Sequence, residues 1–332
     1  MSNSQSRMKM KCRIFMLITV LSLSVLSTSE KENIRQTADM TEKYEDSNKD
    51  TLSIVFTGDV LLDRGVRRHI ELEGIEALFA EVKNDFKRSD AVVINLECPI
   101  TDTISPLNKK FIFRADPDVA PKMKGLGITH AALANNHTMD QGRRGLASTN
   151  RHLLQNGIVP LGYGYTFEER LAPTIIEKHG IKVALFNAVL LTIENWSPIV
   201  EKQAGVCQPT VHELSEVIRQ YKHSHKDTYC VAILHWGAEY QTSPSVNQRY
   251  EAAKLITSGA DAIIGHHPHV IQKPDRISGK PVYYSLGNFI FDNPHPLAQR
   301  SLMVRLCFTT DSVTCEETQL HIQRCRPIRK KQ

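Results

Sequence analysis

The stretch from Gly265 to His269 is the part of the chain whose residue types are best suited to chemistry. It places three imidazoles within four positions, directly after 261–264, a short and mostly apolar run that predicts a buried strand. Neutral imidazole is the commonest metal ligand in proteins at about pH 7. The stretch therefore predicts a metal-binding loop at a strand end. The alternative is a solvated loop that happens to be rich in histidine, and partner ligands elsewhere in the chain must decide between the two.

Polar residues follow other predicted strands in the same way. They are Asp59 after 52–56, Asn95 and Glu97 after 91–94, Asn136 and His137 after 129–134, and His235 after 229–234. Helical stretches separate these strands, at about 68–88, 117–125, 143–156, 211–223 and 246–258. Alternating strands and helices indicate an α/β sheet, in which ligands bind at the carboxyl ends of the strands. The unusual residues are thus expected at one edge of that sheet.

The collected side chains form a mixed nitrogen and oxygen ligand set, which suits Mn, Fe or Zn better than Mg or Ca. The set is large enough for two ions that share a bridging carboxylate, an arrangement that clamps the attacking and leaving oxygens of a phosphate ester. His137 would then be free to act as a general acid. Each residue also has a structural alternative: Asp59 as a helix cap, Asn136 as a left-handed turn residue, His235 as a core histidine. Repetition at five strand ends favours a site.

Six ordered motifs carry a family resemblance over about 52–305. They are Thr57-Gly58-Asp59, Asn95-Leu96-Glu97, Asn135-Asn136-His137 with Asp140 and Gly142, His235-Trp236-Gly237 with Glu239-Tyr240, Gly265 to Val270, and Tyr284 to Phe289 with Phe291-Asp292. Together they resemble the bacterial capsule-synthesis CapA family of poly-γ-glutamate biosynthesis, within the calcineurin-like metallophosphatase superfamily. The resemblance implies a single α/β domain built as a four-layer αββα sandwich.

The resemblance also implies roles for the strand-end residues. One or two divalent transition metal ions (Mn, Fe or Zn) would be bound by Asp59, Glu97 as the bridging carboxylate, Asn136, His235, His267 and His269. The candidate catalytic residues are His137, as the acid, and Asp59. His266 is expected to be structural.

Two positions depart from the superfamily pattern. Leu61 stands where the superfamily has a histidine two residues after the aspartate, and Asn95-Leu96-Glu97 replaces its Gly-Asp setting. The missing imidazole is expected to weaken one metal position. Whether the protein is an enzyme is therefore left open at this point.

Two functions compete. The first is a metal-dependent hydrolase or transferase that acts outside the cytoplasm on an anionic polymer, such as poly-γ-glutamate, or on its precursor. The alternative is a non-enzymatic accessory protein that binds or exports the polymer, and a membrane-associated synthesis complex is a further candidate partner. Nucleic acid is not an expected partner, because the net charge of +5 is modest and the excess basic residues gather partly at the chain ends.

The N-terminus predicts export. A basic segment (7–13), an apolar run (14–26) and small residues (27–29) have the layout of a signal peptide, with an uncleaved anchor as the alternative. We expect a signal peptide or N-terminal anchor at 1–29, a flexible linker at 30–50, the CapA-like domain at 51–310, and an edge strand with a basic tail at 311–332. The protein is thus expected to be secreted or anchored outside the cytoplasm. No C-x-x-C pair occurs, which argues against a thiolate zinc site, and no disulfide pairing is assigned.

Overall fold

A computed structural model of the chain describes residues 50–191 and 202–329. The predicted signal peptide or anchor, all but the last residue of the predicted linker, and the final residues 330–332 lie outside the described residues. Within the described ranges, no helix combines the length and the apolar character needed to cross a membrane. The six cysteines in these ranges are free thiols.

Two β-sheets form the centre of the fold. Their strands are β1 (Leu52–Val60), β2 (Ala91–Leu96), β3 (His130–Ala132), β4 (Val159–Leu161), β6 (Thr174–Lys178), β7 (Ile181–Val189), β9 (Thr228–His235), β10 (Ala262–His266), β11 (Asp275–Ile277), β12 (Lys280–Tyr283), β13 (Asn288–Ile290), β14 (Arg300–Phe308), β15 (Val313–Gln323) and β16 (Arg326–Arg329). The first sheet has the order β16-β15-β14-β1-β2-β3-β4, with β13 also paired to β1. The second has the order β11-β12-β10-β9-β7-β6. The short strands β5 (Tyr163–Gly164) and β8 (Gly205–Val206) form a separate pair.

The two sheets pack face to face, and helices cover their outer faces. On β1, Ile54 and Phe56 belong to an apolar cluster that also contains Ile233 of β9 and Ile264 of β10. Val55, between them, belongs to the cluster that contains helical residues. This alternation follows from the two-residue period of a strand, and every residue of β1 is buried. The predicted four-layer αββα sandwich is confirmed.

The described helices are α1 (Arg64–Glu73), α2 (Ile75–Leu78), α3 (Lys83–Lys87), α4 (Val119–Gly125), α5 (Gly142–Gln155), α6 (Phe167–Leu171), α7 (Val211–Ser224) and α8 (Val246–Thr257), with a 3₁₀ turn at Pro296–Gln299. The single helix predicted at 68–88 is wrong, since three short helices occupy that region. Gly74 ends α1 with a left-handed φ of 81°, and its N–H donates to the carbonyl of Ile70 at 2.9 Å. Glycine adopts that backbone conformation at little energetic cost, so Gly74 ends the helix. The helical spacing of apolar residues nevertheless continues beyond it, which is why the sequence predicts one helix.

The strands β6 and β7 pair antiparallel as a hairpin. A second hairpin, around Ser278-Gly279, joins the short strands β11 and β12. The strands β14 and β15 also pair antiparallel, and β14 lies inside the first sheet against β1. The outer edge is β16, which pairs with β15.

Candidate metal centre

The predicted ligand residues from both sheets come together at the carboxyl ends of their strands. Asp59 lies in β1 and Glu97 directly follows β2, while His235 ends β9. His267 and His269 follow β10 in the next turn, where both have left-handed φ values of 97° and 58°. Such values are uncommon outside glycine and occur often at functional sites, where the surrounding structure holds them. No predicted ligand lies away from this cluster.

Asn95 connects the two carboxylates. Its Nδ2 donates to Asp59 Oδ1 at 2.9 Å and to Glu97 Oε1 at 3.0 Å. His235 Nδ1 lies 3.5 Å from the same Glu97 oxygen. Asn95 Nδ2 is also 3.4 Å from His235 Nδ1. Asp59, Glu97 and His235 are all almost completely buried. The amide therefore fixes one oxygen of each carboxylate and leaves the second oxygen available.

A close approach of two strands places His269 beside Asp59. Asp59 pairs in register with Asn288 of β13, and Asn288 Oδ1 lies 2.9 Å from His269 Nδ1. The same nitrogen is 3.2 Å from Asp59 Oδ2, but its hydrogen bond goes to Asn288. Gly58 permits this approach, because a Cβ there would lie 2.0 Å from the carbonyl oxygen of Gly287.

Three buried polar atoms of the cluster have no hydrogen-bond partner among the described residues: Asp59 Oδ2, Glu97 Oε2 and His267 Nδ1. A buried carboxylate oxygen without a partner is costly, so such atoms call for an explanation. Ligand atoms of Asp59, Glu97 and His269 lie within 4.8 Å of one another. Two carboxylates and an imidazole at that separation fit a divalent cation, which would satisfy the unpaired oxygens.

The pKa values of Asp59, Glu97 and His269 are shifted in different directions by burial and by one another. Burial and the neighbouring Asp59 carboxylate raise the pKa of Glu97 well above its ordinary value. Burial works against ionised Asp59, but His269 outweighs it and lowers the pKa of that carboxyl. Burial likewise works against protonated His269, yet Glu97 and Asp59 raise its pKa to about 9. The group thus retains a proton that offsets part of its buried negative charge in the metal-free protein.

A second set of donors surrounds His235. Its Nε2 lies 2.9 Å from Asn136 Oδ1, and its ring centroid is 4.8 Å from that of His267. Two ligand atoms that bind the same ion, each at about 2.0–2.1 Å, lie about 3 Å from each other. The separation of His235 Nε2 and Asn136 Oδ1 matches that distance. Burial, and then the neighbouring imidazoles, lower the pKa of His235 well below its ordinary value, and burial lowers that of His267 to about 3. Both rings are therefore neutral, which is the form that binds metal.

Asp140, to which the sequence alone assigns no role, orients the His137 ring. The ring Nδ1 lies 2.9 Å from Asp140 Oδ2, which also accepts from the N–H of Phe113 at 2.8 Å. Lys109 Nζ donates to Asp140 Oδ1 and to the carbonyl of Asn136, both at 2.7 Å. Burial lowers the pKa of His137, while Asp140 opposes that shift. The three-residue spacing could have suggested Asp140, but no sequence signal pointed to Lys109.

For Asp59 and Asn136, the structural alternatives are not what the structure shows. Asp59 accepts its hydrogen bond from Asn95 and caps no described helix, and Asn136 is not in the left-handed region. His266 lies outside the ligand set, with its Nε2 3.0 Å from the carbonyl of Thr57. Leu61 is completely buried and offers no ligand atom. Neither His266 nor Leu61 therefore contributes a ligand atom to the cluster.

A cavity of about 290 Å³ opens beside the cluster. Its lining combines two residues of the cluster with aromatic and charged side chains, namely His137, His269, Arg64, Phe111, Phe113, Glu239, Tyr240, Phe291, Asp292, Asn293 and Pro294. A ligand in this cavity would reach His137 and His269 directly.

Comparison with known proteins gives matches to a protein family, to curated proteins and to solved structures. The family described as bacterial capsule synthesis protein PGA_cap matches residues 53–293. The PGA biosynthesis protein CapA of Bacillus subtilis is 28% identical over 80% of this chain and 70% of its own length. The capsule biosynthesis protein CapA of Bacillus anthracis is also 28% identical, over 79% of this chain and 65% of its own length. Among solved structures, the NAD nucleotidase NadN of Haemophilus influenzae matches 82% of this chain and 56% of its own, at 15% identity and a TM-score of 0.47.

Proposed function

The chain belongs to the bacterial capsule synthesis protein family, and from that premise we propose that it acts in the synthesis of an anionic cell-envelope polymer such as poly-γ-glutamate. In this proposal it is a metal-dependent hydrolase or transferase that works outside the cytoplasm on the polymer or its precursor. The observation that carries the proposal is a pair of buried carboxylate oxygens without hydrogen-bond partners, Asp59 Oδ2 and Glu97 Oε2. The imidazole of His269 lies beside them, with its Nδ1 3.2 Å from Asp59 Oδ2.

The residues divide into two ligand groups that share one carboxylate. Asp59, Glu97 and His269 would hold one ion, and Asn136, His235 and His267 would hold a second ion together with Glu97. The donor set suits Mn, Fe or Zn. Bound there, the metal would supply a Lewis acid and an activated water for attack on a carbonyl or phosphoryl centre. The group around Asp59 has one imidazole fewer than the superfamily pattern because Leu61 provides no ligand, so we expect it to bind its ion more weakly.

His137 has the geometry of a proton carrier. Asp140 orients the ring through Nδ1, and His137 lines the cavity in which a substrate would lie. Lys109 and the Phe113 N–H fix Asp140 in turn, so the ring orientation is set before a substrate binds. When the oriented ring carries a second proton, on Nε2, it can give that proton to a leaving oxygen or nitrogen, and Asp140 stabilises the protonated form.

A non-enzymatic accessory role is the second candidate. The observation that favours it is Leu61, which removes one imidazole from the first ligand group and lies completely buried. A protein with one firmly bound ion could use the same cavity to hold the polymer during synthesis or export. Metal content and turnover separate these two roles.

The test is a hydrolysis assay of the purified protein with and without metal. Metal-loaded protein is incubated with poly-γ-glutamate and, separately, with a phosphate monoester, and new chain ends or free phosphate are quantified. We expect turnover of one substrate, its loss after chelation, and its return after Mn, Fe or Zn is added back. Metal-loaded protein that binds the polymer without turning over either substrate would support the accessory role instead.

A further inference from the structure

Arg64 lies between two aromatic rings at the wall of the cavity. Its guanidinium carbon is 4.8 Å from the ring centroid of Phe113 and 5.7 Å from that of Phe291. Both rings are nearly completely buried, whereas the Arg64 side chain is 37% exposed. Aromatic faces attract a guanidinium and restrict it to a plane. The charged group is therefore fixed in position yet open to the cavity.

The backbone and Asp292 hold Arg64 in the same place. Arg64 begins α1 with a left-handed φ of 53°, which is uncommon for a residue with a Cβ. Asp292 forms an ion pair with Arg64 through Oδ1 and accepts the N–H of Gly65 through Oδ2 at 2.9 Å. Within the described ranges, that ion pair is the only hydrogen bond of the Arg64 side chain. The remaining guanidinium nitrogens are thus available to a ligand in the cavity.

The rest of the cavity matches a ligand that alternates carboxylate and methylene groups. Phe111 and Tyr240 are about half and one-third exposed there and offer apolar surface beside Arg64. His137 and His269 form the side next to the metal centre. The acidic lining residues, Asp292 and Glu239, disfavour a densely charged anion, and Asp292 is already paired with Arg64. Each unit of poly-γ-glutamate carries one free carboxylate separated from the next by two methylenes and an amide.

We propose that Arg64 binds the free α-carboxylate of a γ-glutamyl unit, and that Phe111 and Tyr240 contact its methylenes. This inference rests on the proposed function, because it takes the polymer to be the ligand of the cavity beside the metal centre. A guanidinium presents two parallel N–H groups that match both oxygens of a carboxylate. Arg64 would thus set the position of the γ-amide relative to His137. It is a specificity residue rather than a metal ligand.

Binding of γ-linked tetraglutamate by the metal-loaded protein tests this inference. We expect Arg64→Gln to weaken tetraglutamate binding at least about tenfold, since hydrogen bonds to charged groups are the stronger class. Arg64→Lys keeps the charge without the planar fork, so we expect an intermediate loss. Arg68→Gln is the matched control, because Arg68 is an exposed arginine of the same helix that does not line the cavity. It should bind tetraglutamate like the wild type.

Two further ligands establish which chemical group is recognised. Tetraglutamate with methyl-esterified carboxylates should bind the wild type and Arg64→Gln equally weakly, and inorganic phosphate should bind both proteins alike. Equal tetraglutamate affinity of Arg64→Gln and wild type would overturn the inference, and so would a tenfold loss of phosphate affinity. Metal content is measured on the same samples. Wild-type protein without metal would contradict the proposed metal centre. The comparison of Arg64→Gln with the Arg68→Gln control would still decide the role of Arg64.

Discussion

Glu97→Gln is expected to abolish the thermal stabilisation of the protein by divalent transition metal ions. A ligand at one hundred times its dissociation constant stabilises the native state by about 2.7 kcal/mol. For a domain of this size that corresponds to a rise in Tm of about 5–10 °C. Glu97 would be shared by both ligand groups, so its loss affects both ions. Thermal unfolding with and without added Mn or Zn measures the effect.

The same substitution should have the opposite effect on the metal-free protein. Glu97 is completely buried beside Asp59, and both burial and that neighbour oppose its ionisation. Glutamine carries no charge, keeps an oxygen that can accept from Asn95 Nδ2, and offers a donor to the Asp59 carboxylate. We expect the Tm of the metal-free variant to exceed that of metal-free wild type by about 2–4 °C, the effect of about 1 kcal/mol.

The control for Glu97→Gln is Glu71→Gln, the same change at an exposed position of α1. This control should keep the wild-type response to metal. A Glu97→Gln protein that metal stabilises as strongly as the wild type would contradict the assigned ligand role. A metal-free variant that is less stable than metal-free wild type would show that the Glu97 carboxylate is not a source of strain.

His137→Asn is expected to reduce kcat on the substrate found in the hydrolysis assay by about 10²–10⁴-fold, the usual contribution of a general acid or base. Metal content should not change, because His137 does not belong to either ligand group. Asp140→Asn should cause a smaller loss in kcat, since the amide cannot accept from Lys109, the Phe113 N–H and the His137 ring together. Steady-state kinetics with metal analysis of each variant measures both effects.

His179→Asn is the matched control for that measurement. His179 is exposed in the turn between β6 and β7 with a left-handed φ of 52°, a conformation that asparagine adopts readily. It should keep the wild-type kcat. A His137→Asn protein with full metal occupancy and wild-type kcat would remove His137 from the reaction.

The layout of the ligand cluster could be predicted from sequence because it follows a rule of topology. The strand β2 is parallel to β1 and to β3, and β9 is parallel to β10, so polar residues directly after them reach a common edge. The family resemblance of the six ordered motifs then indicated which strand-end residues lie together as ligands. Asp59, Glu97 and His269 were identified in this way from three different strands.

The residues that orient the cluster could not be predicted in the same way. Lys109 lies in a loop without a regular period, and Asn288 reaches His269 only because β13 pairs with β1. Arg64 precedes the helix predicted at 68–88, so there was no reason in the sequence to place it in the first turn of a helix. In the structure it begins α1, which ends at Gly74. Each of these contacts depends on tertiary packing between distant segments, which leaves no local pattern in the sequence.

Elemental analysis tests the central claim most directly. Protein purified without chelator is compared with the double variant Asp59→Asn/Glu97→Gln and with the control Glu71→Gln/Asp227→Asn, which makes the same two changes at exposed positions. We predict at least one Mn, Fe or Zn ion per chain in the wild type and the control, and none in the double variant. Equal metal content in all three proteins would contradict the metal centre.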